Sequence, residues 1–366
     1  MVDGHDPIAE IRTHLLGVPW PEPPRFGLNA PELQEFLIAE IQTASGLVGV
    51  GYLQPLAGGL RTLQCCIHEM LEPLIIGEDP GDVEGLYDRM WDATYIQGRM
   101  GITVMAMSAL DVALWDLAGK RAGLALYELW GGTHKDLPTY GSGCYRGLGK
   151  DGMIEKAERY IDHGFPAIKM QVAHTATHAQ DIENVAAMRT SLGPDVHIMV
   201  DVNQGWSAKE AIEVGRRLDK SDIYWLEEPV IAHDFDGYRQ VARALKTRIV
   251  GGENHFTHHD LKPFFDDPCV PILQPDVMRG GLTGLRRIAA IAEPYGITIA
   301  PHLFPELMSH LLASIPNASW LEYMGWHDDL FVDPVLPSAG VMRPPTAPGH
   351  GLTFKPELFT EYRLAR

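Results

Sequence analysis

Basic residues are scarce in this sequence. Lys and Arg number 30 against 48 Asp and Glu, a formal net charge of −18 over 366 residues. That balance repels nucleic acid and anionic membrane surfaces, so neither is expected as a partner. A small anionic substrate stays possible, because salt screens a global field within about 10 Å and a local cation can outweigh it. Cysteine is also scarce. The four present, Cys65, Cys66, Cys144 and Cys269, form no C-x-x-C pair, which argues against a cysteine zinc site and for thiols in a reducing compartment. The opening MVDGHDPIAEIRTHL lacks a basic stretch followed by an apolar core, so no signal peptide is expected and a cytoplasmic location is. The longest apolar stretch, 102–118, is interrupted by Asp111 and Asp116 and reads as too short and too charged to span a bilayer.

What the chain does have is a series of short apolar runs, each closed by an acid. IMVD, YWLE and IVGGE end at Asp201, Glu227 and Glu253, 26 residues apart each time. A strand, a turn, a helix and the next strand make a βαβ unit of about that length. Three carboxylates at the C-terminal ends of neighbouring parallel strands would converge and repel one another unless a cation sat between them. Oxygen-only ligands suit a hard divalent ion, Mg²⁺ first.

Read in order, the first ~125 residues place strands before helices, an α+β pattern. Segments 35–43 and 47–52 flank Ala44-Ser45-Gly46, a hairpin signal, and 8–16 alternates loosely. The proline run at 19–24 is loop, and 56–61 is flexible by composition. Helical spacing covers 82–91 and 103–117, with Gly119 and Gly123 where the long helix should stop. From Leu137 onward, strand ends fall near Ser142, Gln171, Asp201, Glu227, Glu253, Asp276, His302 and Glu322, a spacing that predicts a (β/α) barrel. Ser207 and Glu210 form a capping box after the third of these strands. The last gap is short, so a reduced helix is expected there. The expected domains are an α+β cap at 1–128, a barrel at 129–333 and a Pro- and Gly-rich tail at 334–366 that returns to the cap.

Lys169 sits near the end of the second barrel strand, where a cation could hold a substrate carboxylate; by itself it reads equally well as a surface lysine. Asp276 and His302, 26 apart, fall on adjacent strand ends. An Asp that accepts from one imidazole nitrogen leaves the other as a general base. Glu322, in apolar company, could be kept protonated and donate to a developing enolate oxygen. Glu228 and Asn203 flank the three acids as support, and Asn254, His255, Ser142 and Tyr145 are further candidates for the site wall. Arg25, Arg61 and Arg146 could meet distal groups of a substrate, although each alone reads as a surface arginine. Gly280-Gly281-Leu282-Thr283-Gly284 reads as a turn into a helix rather than an anion cradle. His258-His259 reads as surface.

Together with MAMSALDVALWDLAGK at 105–120, the motifs WLEEP, GGEN, QPD, PHLF and WLE resemble those of the enolase superfamily, in its mandelate racemase subgroup. The resemblance implies a (β/α)₇β barrel under an N-terminal α+β capping domain. It also implies Mg²⁺ on Asp201, Glu227 and Glu253, a His302–Asp276 base, and Glu322 as an electrophilic acid. Members that racemise carry K-x-K on the second barrel strand, and here it reads Lys169-Met170-Gln171. Glutamine takes no proton at neutral pH, so one of the two bases is missing unless Tyr145 or His255 replaces it. The expectation is therefore an acid-sugar dehydratase, acting on a small carboxylate, an aldonate or aldarate. Alternatives are a racemase, epimerase or cycloisomerase, and, more remotely, a non-catalytic metal- or ligand-binding protein. Such barrels often form homo-oligomers, but no interface is legible.

Overall fold

The computed structural model describes residues 6–24, 32–56 and 58–364. Three antiparallel strands come first: β1 (Ile8–Pro19), β2 (Leu33–Thr43) and β3 (Val48–Leu53), in that order across the sheet. The β2–β3 hairpin turns where expected, with Gly46 at φ 91°, and Asp6 accepts from Ser45 N and Oγ at 2.7 Å each.

The face of β3 is glycine for a reason. A Cβ at Gly51 would lie 2.0 Å from Ala109 O, and one at Gly49 2.2 Å from Ala113 O. Strand and helix backbones thus touch directly. Overpacking of a close-packed contact costs about 1–3 kcal/mol. Gly51→Ala is therefore expected to lower unfolding stability by at least ~1 kcal/mol, read from denaturant melts; an unchanged midpoint would mean that the helix moves away freely.

That helix spans Ile102–Ala122, longer than the sequence suggested. Its 21 residues are apolar and long enough to cross a membrane by length and composition, but 89% of the apolar window is buried within the fold. It is the core helix between sheet and barrel. Gly123 ends it at φ 68°, whereas Gly119 lies inside it. There a side chain would strike Gly349 Cα at 2.6 Å, so Gly119 serves a close crossing rather than a stop. The two interrupting acids are both buried and both bonded. Asp116 accepts from Val50 N, Lys120 Nζ and His350 N. Asp111 accepts from Thr283 N at 2.8 Å and Thr283 Oγ1 at 2.6 Å, so the glycine-rich turn at 280–284 does hold an anion, the chain's own carboxylate. Burial pushes Asp111 up to about 7.

The barrel strands are β4 (Leu137–Cys144), β5 (Ala167–Gln171), β6 (His197–Asp201), β7 (Trp225–Glu227), β8 (Arg248–Gly251), β9 (Ile272–Leu273), β10 (Thr298–Ile299) and β11 (Leu321–Tyr323). They run parallel in the order β10-β9-β8-β7-β6-β5-β4-β11. The ring closes through the bridge from Ile299 to Ala318, with Ile299 N donating to Asn317 O at 2.8 Å. Tyr140, Ala167, Met199, Trp225, Val250, Ile272 and Ala300 fill the interior. The capping box forms, with Glu210 Oε2 accepting from Ser207 N at 2.8 Å. The last connection holds an ordinary ten-residue helix, Pro305–Ser314; the reduced one is Lys262–Asp266, between β8 and β9. The tail adds β12 (Val341–Met342), antiparallel to β4, then reaches β1, where Leu364 N donates to Leu15 O at 2.9 Å. The architecture is an α+β capping unit on a (β/α) barrel.

Candidate active site

In a parallel barrel the strands deliver side chains to one rim. Asp201 and Glu227 stand side by side in register at the ends of β6 and β7, and Glu253 follows the end of β8. Asp201 and Glu227 are fully buried. Asp201 is fixed by Asn203, whose N donates at 2.8 Å and Nδ2 at 2.5 Å. Glu227 accepts from Lys169 Nζ at 2.6 Å and Trp225 Nε1 at 3.0 Å. Burial raises Asp201 to about 6, with Glu253 adding repulsion against the help of Lys169. Burial likewise raises Glu227 to about 8, Asp201 and Glu253 adding to it. Among the described residues no three acids, histidines or cysteines are already drawn into a chelate. Each acid instead leans on a donor of the protein, and a carboxylate has lone pairs left for a second partner.

Lys169 is buried between Glu227 and Glu322, 2.9 Å from the latter. Burial works against its charge, but the two acids hold it well above its ordinary value. Glu322 also accepts from Leu303 N at 3.0 Å. Against the expectation of a protonated Glu322, burial favours the proton but Lys169 and His302 oppose it and lower the carboxyl to about 2 in the metal-free chain. Its surroundings are cationic, not apolar.

His302 Nδ1 lies 2.7 Å from Asp276 Oδ2, and the other Asp276 oxygen accepts from Met278 N at 2.7 Å. The carboxylate thus fixes the tautomer with a proton on Nδ1 and turns Nε2 toward Glu253, 3.7 Å away. Burial disfavours the imidazolium, but Glu253, Asp276 and Glu322 together carry it to about 10. Leu303 and Phe304 follow with φ of 53° and 50°. Two such residues in a row are costly, and strain of this kind collects at functional sites.

A cavity of about 300 Å³ opens on these groups. Lys169, Asp201, Glu253 and His302 line it, as do Ser142, Tyr145, Arg146, Gln171 and Asn203. Two larger hollows, about 610 and 570 Å³, open elsewhere on the surface, and none of the strand-end acids lines either. The chemistry, not the volume, selects the site.

Residues 152–358 match the family model described as enolase C-terminal domain-like, and residues 10–131 match that of the mandelate racemase / muconate lactonizing enzyme N-terminal domain. The chain belongs to the enolase superfamily, in the mandelate racemase/muconate lactonizing enzyme subgroup. It is 31% identical to a 3,6-anhydro-alpha-L-galactonate cycloisomerase of Streptomyces coelicolor, over 94% of this chain and 96% of that protein. It is 34% identical to an L-talarate/galactarate dehydratase of Salmonella typhimurium, over 81% of this chain and 74% of that one. Among solved structures, a racemase from Streptomyces coelicolor A3(2) with bound magnesium superposes with a TM-score of 0.93 at 31% identity, covering 98% of this chain and 100% of that one. An L-talarate dehydratase from Polaromonas sp. JS666, complexed with Mg and L-glucarate, gives 0.91 at 32% identity, with 98% of each chain covered.

Not every candidate is where the sequence suggested. His255 is buried against Phe235 and Phe264 with Nε2 on Ala232 O at 3.0 Å, so it packs outside this enolase-superfamily cavity. Arg61 lines the 610 Å³ hollow beside β1 instead. Arg25 lies outside the described residues. Glu228 and Asn254 bond each other at 2.9 and 3.0 Å behind the site. Gln171 does reach the cavity, and its Oε1 is buried with no partner among the described residues. Tyr145 lines the wall and accepts from Trp326 Nε1 at 2.9 Å, while burial pushes its phenol far up, which leaves it no base at neutral pH. Sequence reading missed His174, Met324 and Trp326, all on the wall. Only the distance of His174 from Lys169, five residues on, could have flagged it.

Proposed function

We propose that this chain removes the proton α to the carboxylate of an acid sugar and expels the oxygen on the β-carbon, giving a 2-keto-3-deoxy acid. Asp201, Glu227 and Glu253 are the groups that would hold Mg²⁺. The fit is supported by the donor set itself: three neighbouring acids, oxygen only, with Asp201 and Glu227 raised by burial and mutual repulsion. When bound, the ion supplies Lewis-acid stabilisation of the enediolate. Lys169, kept charged by Glu227 and Glu322, adds its field at the substrate carboxylate. Glu322 in this reading positions Lys169 and does not donate a proton. The field of Glu253 that keeps His302 protonated in the metal-free chain would be offset by a bound cation, which frees Nε2 to take the α-proton, and Asp276 stabilises the imidazolium that results.

The observation that carries the reading is the His302–Asp276 bond at 2.7 Å in a wall whose position 171 holds glutamine. That supports one base at Cα and so favours elimination over two-base racemisation. If the β-oxygen is a free hydroxyl, the enzyme is a dehydratase. If that oxygen closes a ring, the same bond cleavage opens the ring and the net reaction is an isomerisation. The cycloisomerase relative favours this second form as strongly as the dehydratase relatives favour the first.

Proton NMR in D₂O with Mg²⁺, against aldonic and aldaric acids and their lactones and anhydro forms, tests this. A 2-keto-3-deoxy product supports elimination and names the leaving oxygen; α-deuteration of every reactive acid without C–O cleavage would sink it. Metal affinity should also follow pH. Protons held by Asp201 near 6 and Glu227 near 8 must leave before Mg²⁺ binds, so calorimetric affinity is expected to rise ~tenfold per pH unit per proton displaced between pH 6 and 8. A flat profile would count against these acids as ligands.

A further inference from the structure

We propose that His174 is a second proton-transfer group of this site, the acid that protonates the oxygen leaving the β-carbon. The proposal rests on the elimination reading above.

His174 stands in the loop after β5 and lines the same cavity as His302, which follows β10. Going round the closed ring from β10 through β11 and β4, β5 is the third strand on, so the two imidazoles face the cavity from different sides. Its tautomer is set. Nε2 lies 2.9 Å from Asn203 O, and a carbonyl only accepts, so Nε2 carries a hydrogen. Nδ1 meets no hydrogen-bond partner among the described residues. His302 shows the mirrored arrangement, Nδ1 engaged and Nε2 free for chemistry.

The chain holds His174 there against its backbone preference. Ala173 and His174 have φ of 65° and 56°, consecutive left-handed residues without a glycine. Asp181, buried, accepts from Ala173 N at 3.1 and 3.2 Å, and Thr175 N donates to Ala173 O at 2.7 Å. Gly205 leaves room for the ring, since a Cβ there would come within 3.0 Å of His174 Nε2. Sustained strain at one residue of a cavity wall points to a function for that residue.

Depth separates the two roles. Lys169, which would receive the carboxylate, and Asp201, which would help to hold the ion beside it, are buried, and the His302 side chain is only 13% exposed. His174 is exposed at the rim. A carboxylate anchored in the depths presents Cα to His302 and the β-carbon, one bond further out, toward the rim. In the step, His302 Nε2 takes the α-proton and the C–H electrons become the Cα–Cβ double bond. The Cβ–O bond breaks, and its oxygen takes the proton from Nδ1 of the His174 imidazolium. His174 is left neutral and is recharged from solvent. Where water leaves, substrate yields enol plus water; the enol ketonises by taking a proton at Cβ and giving one up from oxygen.

The test uses the full-length Mg²⁺-loaded enzyme, a reactive acid from the panel, and D₂O. His174→Gln keeps an N–H for Asn203 O but no titratable nitrogen. His174→Gly suits the left-handed backbone and so guards against a folding failure. Expected is a loss of elimination by at least ~100-fold, with α-deuterium exchange falling only a few-fold, and recovery of elimination in His174→Gly on adding imidazole. Exchange and elimination falling together without imidazole rescue would overturn the proposal and make His174 a prop for Asn203. Elimination at the wild-type rate would overturn it too. If the wild type exchanges the α-proton but never eliminates, the elimination reading itself has failed, and this role with it.

Discussion

His302→Asn is expected to reduce turnover by about 10⁴-fold and to abolish exchange of the substrate α-proton, with little change in fold. Asparagine can still donate to Asp276 Oδ2, so the Met278 N–Asp276 cap at the head of the following helix survives. What it lacks is a nitrogen that accepts a proton. The α-hydrogen of a carboxylate is too weakly acidic for water at neutral pH, and Gln171, across the cavity, offers an amide. Asp276→Asn should fall between wild type and this variant, because the ring stays but neither its tautomer nor its imidazolium is supported. Isotope exchange in D₂O and steady-state rates read both variants. His302→Asn turning over near the wild-type rate would remove His302 from the mechanism. The metal-free protein should also show a pH signature. With a folded pKa near 10 against 6.5 unfolded, His302 stabilises the fold fully below pH 6.5, and the contribution is lost as pH rises through about 10. Asparagine at 302 should flatten that alkaline limb.

These arguments were open to sequence reading because parallel strands are short and apolar and end abruptly. All eight barrel strands lie at or within a few residues of the positions read from the apolar runs, and Asp201, Glu227, Asp276 and His302 stand at their ends or just beyond. Spacing alone brought the three acids and the His–Asp pair together, since strand order in this ring is chain order. Legibility stopped where a side chain's neighbour comes from far along the chain. Glu322 looked like an acid in apolar company because Trp320 and Leu321 precede it, yet Lys169, two strands away in the sheet but far along the chain, sets its charge. His255 looked like site wall because it follows Glu253 and Asn254, but the loop after β8 turns it inward against Phe264. His174 was invisible for the opposite reason. It lies in a loop without periodicity, and only its left-handed backbone aims it at the cavity.

Lys169→Met carries the largest expected cost in stability. Wild-type Lys169 bridges Glu227 at 2.6 Å and Glu322 at 2.9 Å, and all three side chains are at most 4% exposed. Methionine fills the volume but leaves Glu227 and Glu322 facing each other out of water with no cation between them, so one must take a proton or the pair must repel. Breaking one partner of a buried ion pair costs about 3–5 kcal/mol, and here one cation serves two anions. The metal-free variant should therefore unfold at least ~3 kcal/mol more easily at pH 7.5 in denaturant melts. Its deficit should shrink toward acid. Glu322 has a folded pKa near 2 against 4.5 unfolded, so its stabilisation is present above pH 4.5 and lost as pH falls through about 2. Without Lys169 the sign turns for Glu322, and Glu227, already raised to about 8, rises further, so both acids can relax by taking protons and the variant gains on the wild type as pH drops from 7.5 to 5. Mg²⁺ should narrow the gap at pH 7.5, since a cation at Glu227 replaces part of the lost charge, while activity stays low for want of the field at the substrate carboxylate. A variant as stable as the wild type in metal-free buffer at pH 7.5 would show that Glu227 and Glu322 do not depend on Lys169. A stability gap that is independent of pH would show that packing, not charge, is what the lysine supplies.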